Sequence, residues 1–197
     1  MTGGTCPWGL STPDYLAYHD EEWGRPVTED DALFERISLE AFQSGLSWLT
    51  ILRKRENFRA AFAAFSIEAV ARFGAREKKR LLADTGIVRN RAKIEATLSN
   101  ARAAAALHDA GESLARLVWA HRPPRRRAPR TMADLPATTE ESTALAKELK
   151  RRGFRFVGPT TAYAAMQACG VVNDHLAGCP ARAAVERERR EAIRRLG

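Results

Sequence analysis

Two pairs of potential metal ligands lie near opposite ends of the 197-residue chain. His175 and Cys179 stand four positions apart, which places both side chains on one face of a helix, and Cys6 and His19 offer a second pair. Together they form a Cys2His2 set, the number and type of ligands in a closed tetrahedral zinc site. Such a zinc would have no open position for a substrate, so it would join the termini and stabilise the fold. The alternative is that all four are buried packing residues.

The remaining cysteine and histidines do not suggest a catalytic metal. Cys169 lies in the apolar run AAMQACG, where a small buried hydrophobe is expected, and neither His108 nor His121 has a partner at ligand spacing. The zinc-deaminase pattern of H-x-E with P-C-x-x-C is absent. Three cysteines are also too few, and odd in number, for a disulfide framework. A metal-dependent hydrolase or nuclease is therefore the least favoured class.

Glu40 is a carboxylate on the apolar face of a predicted helix. Over residues 29–44, Leu33, Ile37 and Ala41 recur at helical spacing, and Glu40 falls within about 20 degrees of Leu33 on the helical wheel. Burying an ionised carboxylate costs several kcal/mol unless the group is paired or hydrogen-bonded. Glu40 therefore indicates either a pocket that binds a ligand or a buried glutamate satisfied by backbone amides or a helix end.

Aromatic residues are concentrated in the same part of the sequence. Aromatic faces beside a carboxylate favour a flat, cationic, hydrogen-bonding ligand. Between the two helices, the stretch QSGLSW supplies a short turn in which Gly45 presents Leu46 beside Trp48. Packing in the core is the alternative role for the rings, which are Trp8, Tyr15, Tyr18, Trp23, Phe34, Phe42 and Trp48.

The elements that position these residues are predicted to be helices. In the first half of the chain, Thr28 is expected to cap the helix that ends at Gly45, Ser47 caps the next, and Ser66 begins a short helix that ends at Gly74. The apolar positions of these segments recur at helical spacing.

The second half of the chain gives the same signals. Thr138 with Glu141 makes a capping box for a helix running to Gly153, and Pro159 suits the first turn of another that ends at Gly170. A further helix is expected over 112–121. Because no segment reads confidently as a strand and no repeat is found, the predicted fold class is all-α.

A tight connection, DTGIVRN, separates two predicted helices over 75–83 and 89–109. Gly86 suits a backbone turn that other residues resist, so a helix-hairpin-helix is predicted near 76–105. Farther on, RPPRRRAPR (122–130) is a proline-broken loop with five arginines, either a solvated connector or a phosphate contact. The charged tail, 181–197, is expected to be an exposed helix that frays.

The chain is basic and of a size that suits one domain. Its 45% hydrophobic content is enough for a buried core, and the formal charge of +8 favours a polyanionic partner such as nucleic acid. No stretch approaches the roughly 20 apolar residues of a membrane span, and MTGGTCPWG is unlike a signal peptide. We therefore expect a cytoplasmic protein with no membrane partner.

Six runs of sequence resemble the family of 3-methyladenine DNA glycosylase I. They occur in the family's order and cover the chain from about Cys6 to Cys179: CPWG, YLAYHDEEWG, LEAFQSGLSWLTILRKRENFRAAF, GIVRNRAKI, KRRGFRFVG and MQACGVVNDHLAGC. The resemblance implies the helix-hairpin-helix glycosylase fold, with residues 1–180 as one domain whose two helical lobes enclose a base pocket.

The same resemblance implies a DNA repair enzyme. It would flip 3-methyladenine out of alkylated double-stranded DNA and hydrolyse the N-glycosidic bond, releasing the free base without a lyase step. We expect a monomer that works on the nucleoid of a bacterial cytoplasm. A non-catalytic, zinc-stabilised protein that binds damaged DNA is the alternative.

The resemblance also assigns roles to individual residues. Glu40 is expected to recognise the base and to be the catalytic residue, between aromatic walls formed by Tyr18, Trp48 and Trp8, with Trp23 a weaker candidate. A structural Zn2+ is implied, and its ligands are the four residues found by spacing: Cys6, His19, His175 and Cys179. The expected DNA contacts are the turn that fills the gap left by the extruded nucleotide and the hairpin that holds phosphate: Gly45, Leu46, Gly86, Arg89, Arg91 and Lys93.

Two positions depart from the wider superfamily. Val88 stands where a second hairpin glycine is usual, and none of Glu95, Asp109 and Glu112 is a secure equivalent of the usual catalytic aspartate. Methylation at N3 leaves adenine cationic and weakens the glycosidic bond, so less catalytic power is needed.

Overall fold

A computed structural model of the chain describes residues 4–124 and 126–197, and the regular structure of these residues is entirely helical, which confirms the all-α prediction. The helices are α1 (Pro13–Glu21), α2 (Asp30–Gln43), α3 (Trp48–Ala61), α4 (Ile67–Ala71), α5 (Ala75–Ala83), α6 (Arg91–Asp109), α7 (Leu114–Ala120), α8 (Glu140–Arg151), α9 (Pro159–Ala168) and α10 (Ala181–Leu196). Short 3-10 turns lie at Pro7–Leu10, Ala63–Phe65 and Met132–Asp134. None of the described helices is long and apolar enough to cross a bilayer.

The central helix of the fold is α2. Nine of its fourteen residues are buried, and it contacts α3, α6, α7 and α9. A helix surrounded on most of its circumference buries polar positions along with apolar ones. Glu35, Ser38 and Glu40 are therefore inside the protein beside Phe34 and Phe42.

Most of the predicted elements are found. Ser47 and Ser66 cap α3 and α4, and Pro159 stands in the first turn of α9. The helices predicted on either side of Gly86 are α5 and α6, and that predicted over 112–121 is α7.

Two predicted caps lie one residue too early. The Thr28 cap is wrong because α2 begins at residue 30 and its N-cap residue makes no side-chain cap bond. The box of Thr138 with Glu141 is also wrong: Thr139 Oγ1 accepts from Ser142 N at 3.1 Å, and Ser142 Oγ accepts from Thr139 N at 2.9 Å. Adjacent threonines give the same sequence signal, so packing decides which of them caps the helix.

The C-terminal segment is a helix, as predicted, and it is largely exposed but docked along one face. α10 spans sixteen residues, and its Val185 and Ala192 are buried. The Arg189 guanidinium donates to the carbonyls of Gly170 and Val171 at 2.6 and 2.7 Å. Arg182 also donates to the carbonyls of Asn173 and His175, and Glu188 pairs with Arg25, so polar contacts dock a helix whose residues are mostly charged.

Asp30 joins the start of α2 to the start of α7. Its carboxylate accepts hydrogen bonds from the backbone N–H groups of Leu114 and Ala115, from the Ser113 hydroxyl and from His108 Nε2, at 2.7 to 3.0 Å. Burial alone would raise the pKa of Asp30, but these hydrogen bonds outweigh it and lower that pKa. The ionised carboxylate thus satisfies orphan donors at a helix start.

Replacing Asp30 by Ala should lower the free energy of unfolding at pH 7 by about 1–3 kcal/mol. Since the folded state lowers the pKa of this acid, its stabilisation is present above the unfolded pKa of about 3.9 and is lost as pH falls further. Urea denaturation at pH 7 and pH 3 should therefore show a smaller difference from wild type at pH 3. Glu29→Ala, at an N-cap without a side-chain cap bond, is the control. An equal effect of the two substitutions would contradict the assignment.

Candidate functional site

The Glu40 carboxylate is buried beside aromatic rings. The residue is 7% exposed, and after burial the largest cause that raises the pKa of Tyr18 is the charge of Glu40, so the two groups are neighbours. The Tyr18 and Trp48 ring centroids lie 5.3 Å apart, and the Trp8 ring lies 6.3 Å from Tyr18. The structure thus brings together the residues expected to form the pocket.

Glu40 is not satisfied by backbone amides. Burial raises the pKa of its carboxyl to about 8, and the charge of Arg36 lowers it only in part. Among residues 4–124 and 126–197, no group donates a hydrogen bond to the Glu40 carboxylate that would lower its pKa. A buried acid without a donor is costly, which favours the ligand-binding interpretation over the packing one.

Arg36 is a pocket neighbour that the sequence analysis missed. It stands one helical turn before Glu40 on α2, and its guanidinium lies 5.9 Å from the centroid of the Tyr18 ring. Glu22 accepts hydrogen bonds from Arg36 at 2.8 Å and from both terminal nitrogens of Arg55 at 2.6 and 2.8 Å. Glu22 engages Nη2 of Arg36, whereas Arg36 Nη1 is buried without a hydrogen-bond partner among the described residues. No ion pair joins the guanidinium to Glu40 in the described part of the chain. A basic residue four positions from a buried acid was the available signal.

Trp48 carries a second unsatisfied group. Its indole Nε1–H is buried and has no hydrogen-bond partner among the described residues. A buried N–H without an acceptor costs free energy comparable to a lost hydrogen bond. The side chains around Glu40 therefore include an unused donor as well as an unused acceptor, which suits a ligand with both functions.

Gly45 and Leu46 form an exposed turn between α2 and α3. Ser44 has φ −46° and ψ 116°, Gly45 has φ +81°, and Leu46 N donates to Gln43 O at 2.6 Å, the pattern of a type II turn. A positive φ at this position is the reason for glycine. The turn leaves Leu46 41% exposed, so its side chain is accessible to a partner.

The connection between α5 and α6 is braced from α3. Gly86 N donates to Asp84 Oδ1 at 2.8 Å, and Gly86 O accepts from Lys54 Nζ at 3.1 Å and from Asn57 Nδ2 at 3.3 Å. A Cβ on Gly86 would come within 3.0 Å of Asp84 Oδ1 and 3.2 Å of the Asn57 side chain. Glycine is needed here for close approach, not for a positive φ.

The three basic residues expected on the hairpin differ in their surroundings. Arg89 and Arg91 are exposed, and Arg91 lies 3.9 Å from Glu95. Lys93 is buried, and its ammonium donates to the carbonyls of Phe42 and Ser44. Its ammonium is therefore not available to phosphate, and the expectation of a Lys93–phosphate contact is wrong.

The four proposed metal ligands converge at one buried point. The ligand atoms of Cys6, His19, His175 and Cys179 all lie within 4.8 Å of one another. His175 Nδ1 is 3.1 Å from His19 Nε2, 3.5 Å from Cys179 Sγ and 3.9 Å from Cys6 Sγ. Around a tetrahedral zinc, bonds of about 2.0 Å to nitrogen and 2.3 Å to sulfur place ligand atoms about 3.3–3.8 Å apart. The cluster fits this geometry.

The outer nitrogens of both histidines are already engaged. His175 Nε2 lies 3.0 Å from the carbonyl of Trp23, and His19 Nδ1 lies 2.7 Å from Asp20 Oδ1. These bonds fix which nitrogen of each ring faces the cluster, as partners of metal-bound histidines do. Trp23 also packs its ring 4.7 Å from that of His175, so its place is beside the ligand cluster.

The acids considered near the hairpin lie on the surface. Glu95 pairs with Lys78 at 3.2 Å, Glu112 pairs with Arg152 at 2.6 Å, and Asp109 is exposed. None of them shares the burial of Glu40.

The basic loop 122–130 is packed at one end. Ala177 N donates to Pro129 O at 2.7 Å, which attaches the loop to the segment between His175 and Cys179. One residue of the loop, Arg125, lies outside the described residues. The loop borders an open cavity of about 1270 Å³ beside α9 and α10, and its arginines that line this cavity are Arg122, Arg126, Arg127 and Arg130.

Comparison with known proteins gives consistent matches over most of the chain. The methyladenine glycosylase family model matches residues 8–183. DNA-3-methyladenine glycosylase 1 of Escherichia coli (strain K12) is 48% identical over 177 residues, which cover 88% of this chain and 94% of that protein. A crystal structure of 3-methyladenine DNA glycosylase I superimposes with a TM-score of 0.86 at 49% identity, over 89% of this chain and 98% of that chain.

A third match is the Staphylococcus aureus structure that describes 3-methyladenine recognition by 3-methyladenine DNA glycosylase I. Its TM-score is 0.86 at 35% identity, over 92% of this chain and 98% of that chain. The all-helical fold is therefore that of the DNA glycosylases in these structures. The chain belongs to the methyladenine glycosylase family, and the resemblance found in the sequence is confirmed.

Replacing Glu40 by Gln should stabilise the protein at high pH. Since the folded state raises the pKa of this acid to about 8, the ionised carboxylate costs stability progressively as pH rises from about 4.3 to 8. Denaturation at pH 5 and pH 8 should show a gain for Glu40→Gln on the order of a few kcal/mol at pH 8 and a smaller gain at pH 5. A loss of stability at pH 8 would show that the carboxylate is paired after all.

Proposed function

We propose that this chain excises 3-methyladenine from alkylated double-stranded DNA by hydrolysing its N-glycosidic bond, with no lyase step. The observation that carries the proposal is the buried Glu40 carboxylate, which lacks a hydrogen-bond donor and lies beside the rings of Tyr18 and Trp48. Family membership supports the same reaction, because relatives at 48% and 43% identity are DNA-3-methyladenine glycosylases.

The chemistry of the lesion fits this pocket. N3-methylated adenine is a cation within the DNA and leaves as a neutral base, so the pocket need not supply a strong acid. A cation on an aromatic face gains roughly 0.5–2 kcal/mol, and an unmade buried hydrogen bond costs roughly 1–3 kcal/mol. Glu40 is the catalytic residue in this proposal because it contacts the base, and the Trp48 N–H is available to an acceptor. Normal adenine lacks the charge and binds more weakly.

The exposed turn and the hairpin are the proposed DNA contacts. In this proposal the exposed Leu46 side chain fills the gap left by the extruded base. The exposed Arg89 and Arg91 are the proposed phosphate contacts on the hairpin. The Gly86 N–H is bound to Asp84 Oδ1, so Gly86 shapes the turn and does not hold phosphate itself. We propose a monomer acting on DNA in the cytoplasm.

The Cys6, His19, His175 and Cys179 cluster is the proposed zinc site. The ligand distances and the engaged outer nitrogens support a closed tetrahedral ion. Zinc here would supply folding free energy by holding the N-terminal turn and α1 against the segment that precedes α10. The base chemistry belongs to Glu40 and its neighbours.

Glu40→Gln is the direct test of the proposed function. We expect kcat/KM for release of 3-methyladenine from duplex DNA to fall ten- to a hundredfold at pH 8, since one charge-assisted hydrogen bond to the base is lost. For the wild type, kcat/KM should rise from pH 6 to pH 8, because only the ionised carboxylate attracts a cation and its pKa is about 8. The variant should lack this rise.

The matched control is Glu35→Gln on the same helix, whose carboxylate accepts from Arg59 at 3.0 and 3.1 Å. It should retain excision and the pH profile. If Glu40→Gln releases the base and binds free 3-methyladenine as well as wild type does, the pocket assignment fails. DNA binding without base release by the wild type would favour a damage-binding protein.

Elemental analysis should find about one zinc ion per chain. Cys6→Ser and Cys179→Ser should each lose the metal and lower the Tm by roughly 10 °C, because the ion holds the two ends together. Cys169→Ser supplies the control, since this third buried cysteine is outside the cluster and should keep the metal. If the wild type contains no metal and the Cys6→Ser and Cys179→Ser variants have the same Tm as the wild type, the zinc assignment is wrong.

A further inference from the structure

Lys93 is a buried cation that reaches across to another helix. It is 7% exposed, and its Nζ donates to Phe42 O at 2.9 Å and to Ser44 O at 2.5 Å. Burial lowers the pKa of this ammonium. Lysine is almost never buried unless it is paired, so these two carbonyls are the partners that make the position tenable.

The ammonium caps the end of α2. The last carbonyls of a helix have no partner within the helix and carry the negative end of its dipole. α2 ends at Gln43, and Ser44 has already left helical geometry with ψ 116°. Lys93 supplies the missing donors, although it stands in the first turn of its own helix, where a cation is unfavourable. The Lys93 ammonium therefore stabilises the C-terminal end of α2 and destabilises the N-terminal end of α6.

The contact ties together two elements with different proposed tasks. Residues 84–90 of the hairpin run directly into α6, so Lys93 is three residues beyond Asn90, whose side chain caps that helix. On the other side, Phe42 and Ser44 flank the end of the helix that carries Glu40 and run into the Leu46 turn. One buried ammonium thus connects the start of α6 to the turn.

A second set of bonds fixes the other side of the same turn. α3 begins directly after it, and Lys54 and Asn57 on that helix both donate to Gly86 O. The turn is therefore anchored to the hairpin before it through Lys93 and after it through α3. The two anchors leave little freedom for the turn to move independently of the hairpin.

We infer that Lys93 is a positioning residue that fixes the Leu46 turn relative to the phosphate-holding hairpin. The hairpin can then bind the DNA strand while Leu46 fills the gap left by the damaged base. The inference rests on the proposed function of the turn. Lys93 does not touch the base in this account. Its loss should impair excision from duplex DNA and leave binding of the free base almost unchanged.

The first experiment compares Lys93→Met with Lys79→Met in the full-length protein. Lys79 is an exposed lysine on α5, the helix that precedes the hairpin, so its substitution removes the same charge from the other flanking helix. For Lys93→Met, we expect single-turnover release of 3-methyladenine from duplex DNA to fall at least tenfold, and the Kd of free 3-methyladenine to change less than twofold. Lys79→Met should change neither by more than about threefold. Lys93→Arg, which keeps the charge, should recover part of the duplex activity.

A double-mutant cycle with Leu46→Ala tests whether Lys93 acts through the turn. If it does, the losses of Lys93→Met and Leu46→Ala will not multiply, and the double variant will resemble the more severe single variant. All variants are measured well below the lowest Tm. Where Lys93→Met does not fold, Lys93→Arg enters the cycle in its place.

Three results would overturn the inference. The first is that the losses of the two single variants multiply in the cycle. The second is that Lys93→Met loses free-base affinity and duplex excision equally. The third is that Lys79→Met has an effect as large as that of Lys93→Met. A different result marks failure of the proposed function itself: wild type that releases no base, or a Leu46→Ala variant with undiminished duplex excision.

Discussion

The burial of one carboxylate without a hydrogen-bond donor is the constraint on which this structure depends. Glu40 lies on the most enclosed helix of the fold, and burial raises its pKa to about 8. Protein interiors rarely tolerate an acid without a partner, because the lost solvation is not repaid. The nearest cation, Arg36, is bound to Glu22 and is unable to neutralise Glu40 fully. The Glu40 carboxylate is thus an unused hydrogen-bond acceptor beside aromatic rings.

Several contacts in the surrounding structure fix the position of α2, the helix that carries Glu40. Asp30 at its first turn anchors it to α7, and Lys93 caps its last carbonyls from α6. The ligand cluster joins the N-terminal turn and α1, which carries Tyr18, to the segment before α10. These supports are polar and specific, so they fix the position of the helix more sharply than apolar packing alone would.

The sequence predicted the elements and the site better than the contacts between them. Helical spacing and caps predicted most helices, and the ligand types predicted that Cys6 and Cys179 converge. The expectation of a helix that carries His175 and Cys179 is wrong, because both residues lie in the turns between α9 and α10. The caps at Thr28 and Thr138 were misplaced by one residue, because neighbouring polar residues give equal local signals. Lys93 was misassigned for a different reason. A lysine near a hairpin looks like a phosphate contact, and only tertiary structure shows that its side chain is turned inward.

The most direct measurement is the titration of Glu40 itself. In protein labelled with 13C at glutamate carboxyls, the resonance absent from Glu40→Gln identifies this residue, and its shift can be followed from pH 4 to pH 9. A midpoint near pH 8 in the free protein, displaced downward when a cationic base analogue binds, is the predicted result. An ordinary glutamate midpoint of about 4.3 would show a solvated or paired carboxylate and contradict the account.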